Sequence, residues 1–142
     1  MADSTNTDRV EFELVSPQKL LKSEPVEMVV VPGAEGDFGV LPGHSLLIAT
    51  VRPGVIDIHE GGQVRESIFV SGGFAEVSPD RCTVLAEEAI PVGDIDKAAA
   101  EARLDGAKAA LAKAEEDPET GTAAADRELK AAKAMVAAIP QH

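Results

Sequence analysis

The chain has 142 residues, 44% of them hydrophobic and 27% charged, which suits a soluble globular protein with one modest domain and an extension. A net charge of -12 and only 3% aromatic residues, with no Trp or Tyr, exclude a base-stacking or phosphate-tracking nucleic-acid platform. Cys82 is the only cysteine, which excludes an intrachain disulfide and fits a reducing compartment.

The first eight residues are polar and acidic, predict a disordered start, and lack the basic and apolar regions of a signal peptide. No apolar run approaches the roughly 20 residues that span a bilayer. A cytoplasmic protein without direct membrane insertion is expected. Val10-Glu11-Phe12-Glu13-Leu14 alternates apolar and acidic side chains, the pattern of a strand with one buried face, and Ser16-Pro17 ends it. Val26 to Val31 is almost wholly apolar and predicts a strand covered on both faces, stopped by Pro32-Gly33. The glycines of Gly33 to Gly39 follow a G-x-x-G-x-x-G spacing with no Gly-Lys-Ser/Thr after it, so a tight surface loop is expected rather than a phosphate cradle. Leu46 to Val51 is a further run, closed by Arg52-Pro53-Gly54.

Around Gly61-Gly62 the side-chain pattern chooses a register. A three-residue loop, Gly61-Gly62-Gln63, sets Ile56 opposite Ile68 and Ile58 near Val64 and Glu66, leaving Asp57, His59, Arg65 and Ser67 on the other face. Phe74 to Val77 then returns as Cys82 to Leu85 through Ser78-Pro79-Asp80-Arg81. Short strands punctuated by Gly and Pro predict a sandwich or flattened barrel over residues 1–93.

At Pro91 the composition changes: all four Phe and nine of the twelve Gly precede it, and an alanine-rich, charge-studded stretch follows. Residues 94–142 predict an antiparallel two-helix hairpin. Asp94 caps the first helix, which runs to about residue 116; the second runs from about Thr122 to Ile139 and stops at Pro140. Ile95, Ala102, Leu104, Ala107, Leu111 and Ala114 form one thin stripe; Leu129, Ala132, Met135, Val136 and Ile139 form the other. Such stripes bury little area. The hairpin is therefore either permanently docked or a mobile element, and the sequence leaves both open.

No catalytic constellation emerges. His44, His59 and His142 are scattered, Cys82 reads as a buried inert thiol, Glu87 and Glu88 as solvent-facing charge, and the hydrolase motif G-x-S-x-G is absent. A metal- or small-molecule-binding sandwich would need clustered His and acidic ligands. No cofactor, metal or nucleic acid is expected.

Four segments in order, Glu35-Gly36-Asp37-Phe38-Gly39-Val40-Leu41-Pro42-Gly43-His44, Val51-Arg52-Pro53-Gly54, Val70-Ser71-Gly72-Gly73-Phe74-Ala75-Glu76-Val77 and Val84-Leu85-Ala86-Glu87-Glu88-Ala89, resemble the epsilon subunit of bacterial F-type ATP synthases. The likeness runs from about Val10 to the second helix. It implies a ten-stranded β-sandwich at the foot of a central stalk, joining the gamma subunit to the c-ring on the cytoplasmic side of the inner membrane. It also implies a hairpin able to extend toward the alpha and beta catalytic subunits and restrain ATP hydrolysis. On this resemblance Glu35, Asp37, Phe38, Leu41 and His44 fall in the region that meets gamma and the c-ring. Some members sense ATP through an Ile/Leu-Asp-x-x-Arg-Ala motif; here it reads Ile95-Asp96-Lys97-Ala98-Ala99-Ala100, with Ala99 at the arginine position. Without that cationic fork, and with a net acidic hairpin, a coupling subunit with a weak regulatory arm is expected.

Overall fold

Ten strands and two helices make up the computed structural model, which describes residues 8–140. The polar stretch before Asp8 and His142 lie outside these residues. The strands are β1 (Val10–Val15), β2 (Leu20–Val26), β3 (Met28–Gly33), β4 (Gly36–Val40), β5 (Leu47–Val51), β6 (Gly54–Glu60), β7 (Gln63–Val70), β8 (Gly73–Ser78), β9 (Arg81–Ala86) and β10 (Ala89–Pro91). They pair in the order β10-β7-β6-β3-β5-β8-β9-β1-β2, with β4 hung on β3, and every pair is antiparallel except β1 beside β9. The sheet doubles over into a sandwich whose inward side chains, among them Phe12, Leu14, Ile56, Ile58 and Val77, form one core. Where its ends approach, β2 meets β7 through the ion pairs Lys22–Glu66 (2.9 Å) and Arg65–Glu24.

β1 alternates as predicted, with Val10, Phe12 and Leu14 buried. Val26 to Val31, in contrast, is not one strand. The chain bends at Glu27, whose carboxylate accepts the Gly61 N–H at 2.7 Å, so Val26 closes β2 and Met28 opens β3. β2 is an edge strand interrupted by Lys22, Ser23, Glu24 and Pro25, which is why no apolar pattern announced it. Pro32 does not stop β3 either. Its carbonyl takes the Arg52 N–H at 2.9 Å, and β3 meets β5 only at Gly33 and Val51, so the missing proline N–H breaks no long ladder.

The Gly33 to Gly39 segment is likewise not a loop: β3 and β4 pair from Val29–Val40 to Gly33–Gly36, leaving only Ala34-Glu35 as the turn. In the β6–β7 hairpin Ile56 does face Ile68 and Ile58 faces Glu66. The ladder continues to Glu60 opposite Gln63, however, so the predicted three-residue loop is a two-residue Gly61-Gly62 turn plus a bulge at Ile58/His59. Both glycines have positive φ, 61° and 77°, the requirement of the two-residue turn that matches strand twist, and the bulge restores the register that burial demands. β8 and β9 pair as expected through Pro79-Asp80. Gly73 there has φ +150°, and a Cβ on it would lie 1.9 Å from the Leu85 carbonyl oxygen, so no other residue fits.

Val92–Asp94 forms a 3-10 turn, which moves the start of the first helix, α1 (Lys97–Glu115), past Asp94 and puts Asp96 at the cap position without a side-chain cap bond. The second, α2 (Ala123–Ala138), starts after Thr122 as expected. Of the α1 stripe Ala107 is buried and Leu104, Leu111 and Ala114 are half-buried, but Ala102 is exposed. Ala100 and Arg103 take its place, since the docked face follows steps of three and four from residue 100. α2 rests on β6 and β7, and a small second cluster brings Phe69 of the sandwich against Ala100 of α1 and Met135 of α2.

Candidate functional site

The two outer faces of the sandwich are treated differently. Ile68 and Val70 point into the core while Phe69 points out of it, and the hairpin covers Phe69 completely. The outer face of β5, β8, β9 and β1 carries no such cover. Phe74 pairs with Leu85, Leu85 lies beside Val15, and Val15 pairs with Leu20, so one apolar row crosses four strands. Phe74, Leu85 and Leu20 are 59%, 53% and 57% exposed. Ile48 on β5, one diagonal step from Phe74, is 75% exposed, and Leu46 just before it is 79% exposed. Single exposed apolar side chains are ordinary; a row in cross-strand register is the signature of a docking face. Val15, Pro17, Phe74 and Leu85 line a hollow of about 440 Å³ within it.

The five residues expected to touch partners do not form one cluster. Glu35 sits exposed in the β3–β4 turn, and Asp37 on β4 is already paired with Arg52 at 2.6 Å. Phe38 is half-buried, turned to the core, with its ring over Gly33. The exposed Leu41 and the half-buried His44 occupy the connection at the other end of β4, which is pinned by Gly43 N–H to the Pro79 carbonyl (2.7 Å) and by His44 N–H to the Leu41 carbonyl (3.1 Å). His44 Nδ1 lies 2.7 Å from the Ser45 carbonyl. Leu41, 54% exposed, joins Leu46 in adding apolar surface to that connection.

A second feature lies where the hairpin meets the sandwich, beside a cleft of about 550 Å³. Arg103 of α1 donates from Nε and Nη2 to the two carboxylate oxygens of Glu128 on α2, at 2.8 and 3.1 Å. Its Nη1 donates to Glu88, in the turn between β9 and β10, at 3.1 Å. These bonds hold the guanidinium charged and keep the Glu128 carboxyl below the usual carboxylate range. Glu88, read from sequence as free solvent-facing charge, is thus an ion-pair partner. Of the motif residues, Ile95 is half-buried against the second cluster, Asp96 and Ala99 are exposed, and Ala100 is buried. Ala99 brings no cation to the cleft, and Arg103, one turn further on, is taken up by carboxylates.

Cys82 is fully buried, and burial pushes its thiol up to about 12. Among the described residues no three His, Cys, Asp or Glu side chains come together as a metal site. Sequence reasoning missed Phe69 and Arg103. The unbroken apolar triplet Ile68-Phe69-Val70 was a legible sign of a strand covered on both faces. Arg103 gave none, because its partners lie 15 and 25 residues away and depend on the docking of both helices.

Comparison with known proteins places this architecture. Residues 9–92 match the family described as ATP synthase, Delta/Epsilon chain, beta-sandwich domain. The chain is 59% identical over 132 residues to the ATP synthase epsilon chain of Paramagnetospirillum magneticum, covering 93% of this chain and 98% of that one. It is 52% identical over 138 residues to the ATP synthase epsilon chain of Rhodospirillum rubrum, covering 97% and 98%. Its fold matches, with a TM-score of 0.77 and 26% identity, a chain in the cryo-EM structure of the Euglena gracilis mitochondrial ATP synthase, OSCP/F1/c-ring; the match covers 97% of this chain and 86% of that one.

Proposed function

The chain belongs to the ATP synthase epsilon-chain family, and we propose that it is a non-catalytic rotor subunit in the central stalk of a proton-translocating F-type ATP synthase. In this role it couples the gamma subunit to the c-ring during ATP synthesis. The observation that carries the proposal is the bare apolar row of Phe74, Leu85, Val15 and Leu20, flanked by Ile48 and Leu46, on a sandwich whose other outward ring, Phe69, is covered by the hairpin. Fully burying a Phe, Leu or Ile side chain contributes about 1.5–3 kcal/mol, so three or four such anchors supply the energy of a stable interface.

Gamma seats on this row. Leu41 and His44 lie at its margin, and Glu35 offers a free carboxylate to basic loops of the c-ring. Asp37 acts differently: its bond to Arg52 holds the β3–β4 hairpin against the β5–β6 turn, so it fixes the shape of the rim. The protein works peripherally on the cytoplasmic face of the bacterial inner membrane; no helix among the described residues is long and apolar enough to cross a membrane. The region of residues 94–142 is a second, regulatory unit whose two helices rest on the sandwich and, when extended, reach the alpha and beta subunits with weak inhibitory effect.

The test is ATP-driven proton pumping by the complex stripped of this subunit and then supplied with native chain or with Ile48→Glu/Phe74→Glu. Native chain is expected to restore pumping tied to hydrolysis, and the variant to remain unbound. Full restoration by the variant would remove the bare row from the account.

A further inference from the structure

The helices have little to hold them down. Their shared cluster consists of Phe69, Ala100 and Met135, with Ile90, Ile95, Ala134, Val136, Ala138 and Ile139 only half-buried around it, and alanine contributes almost no area. Within this weak contact Arg103 is the shared node: among the described residues it makes the ion pairs that join α1 to α2 and α1 to the sandwich. The arrangement is unequal. Two bonds tie Arg103 to Glu128 within the hairpin, and a single one ties it to Glu88 across the boundary. The surrounding cleft wall adds Glu87 from the sandwich and Arg127 and Lys130 from α2. Without the guanidinium, Glu88 and Glu128 would both lose the cation they share.

We infer that Arg103 is a latch that keeps the hairpin folded on the sandwich, with Glu88 as its releasable catch and Glu128 as its fixed mount. Breaking the Glu88 bond frees the hairpin from the sandwich as a paired unit; losing Arg103 frees the hairpin and loosens the two helices from each other. The latch acts in the isolated chain and needs no partner, so its failure would leave the proposed place in the complex untouched.

The experiment uses the full chain with pairs of spin labels on exposed introduced cysteines, Cys82 being buried and unreactive. One pair, Glu76→Cys with Lys133→Cys, reads the distance from sandwich to α2; the other, Lys108→Cys with Lys133→Cys, reads α1 to α2. Glu88→Gln is expected to broaden the first distance distribution and leave the second narrow. Arg103→Met, which keeps most of the apolar stem, is expected to broaden both and to speed α2 amide exchange by about tenfold or more. Arg103→Lys should fall between, since an ammonium cannot reproduce the fork. Native distances in Arg103→Met would overturn the latch. If that variant loses its helices altogether, Glu88→Gln and Glu128→Gln decide: native distances in both overturn it, and broadening of the sandwich–α2 pair in Glu88→Gln alone upholds it.

Discussion

The sandwich and the hairpin are built from different materials, and the contrast explains what each can do. The sandwich core is made of Phe12, Leu14, three isoleucines and many valines, most of them from strands paired on both edges. The hairpin offers Ala100, Ala107, Ala131, Ala132 and Met135, and borrows Phe69 from the sandwich. Large branched side chains lock a fold with a few kcal/mol apiece, whereas alanines let helices approach closely without binding them strongly. One region therefore keeps its shape under load and the other can leave it.

The sharpest way to break this contrast is to remove one ring from each of the two apolar clusters, the sandwich core and the contact under the hairpin. Phe12→Ala should cost about 3–5 kcal/mol and lower the urea midpoint of the whole chain, followed by far-UV circular dichroism. Phe69→Ala should expose the helices to rapid amide exchange while the sheet keeps most of its protection. A single shared transition, shifted equally by both substitutions, would show that the chain is one cooperative unit and dissolve the distinction.

Acid should sharpen it next. Hydrogen bonds from Arg103 hold the Glu128 carboxyl below its ordinary value of 4.5, so its folded pKa is lower than its unfolded one. Such a group contributes stability fully above the unfolded value, and that contribution is lost as pH falls through the folded value. Helix protection should therefore begin to fade as pH falls below the ordinary value of 4.5, ahead of sheet protection; a sheet that fails first would contradict the account. The smallest expected effect is none at all. With its thiol pushed up to about 12 by burial, Cys82 should resist alkylation at neutral pH, and equally so in Arg103→Met and Phe69→Ala, because neither disturbs the sandwich core.

How far the sequence disclosed this depends on the range of the interaction. Alternation in β1, the Ile56–Ile68 register and the Pro79-Asp80 turn are local patterns, and they were legible. The bend at Glu27 was not, because its carboxylate is fixed by a backbone N–H 34 residues away. Neither was the bare apolar row: Leu20, Val15, Leu85 and Phe74 come from four separated segments and align only through the parallel placement of β1 beside β9. Motif likeness drew attention instead to Glu35, Asp37, Phe38, Leu41 and His44, of which Phe38 packs inward and Asp37 is engaged by Arg52.

Binding to the stripped ATP synthase complex tests the central claim most directly, comparing native chain, a chain ending at Gly93 and full-length Ile48→Glu/Phe74→Glu. The account predicts that the shortened chain binds within a few-fold of native and that the face variant loses binding at least a hundredfold. Retained binding by the face variant with loss by the shortened chain would contradict it, and would make the hairpin the part that docks.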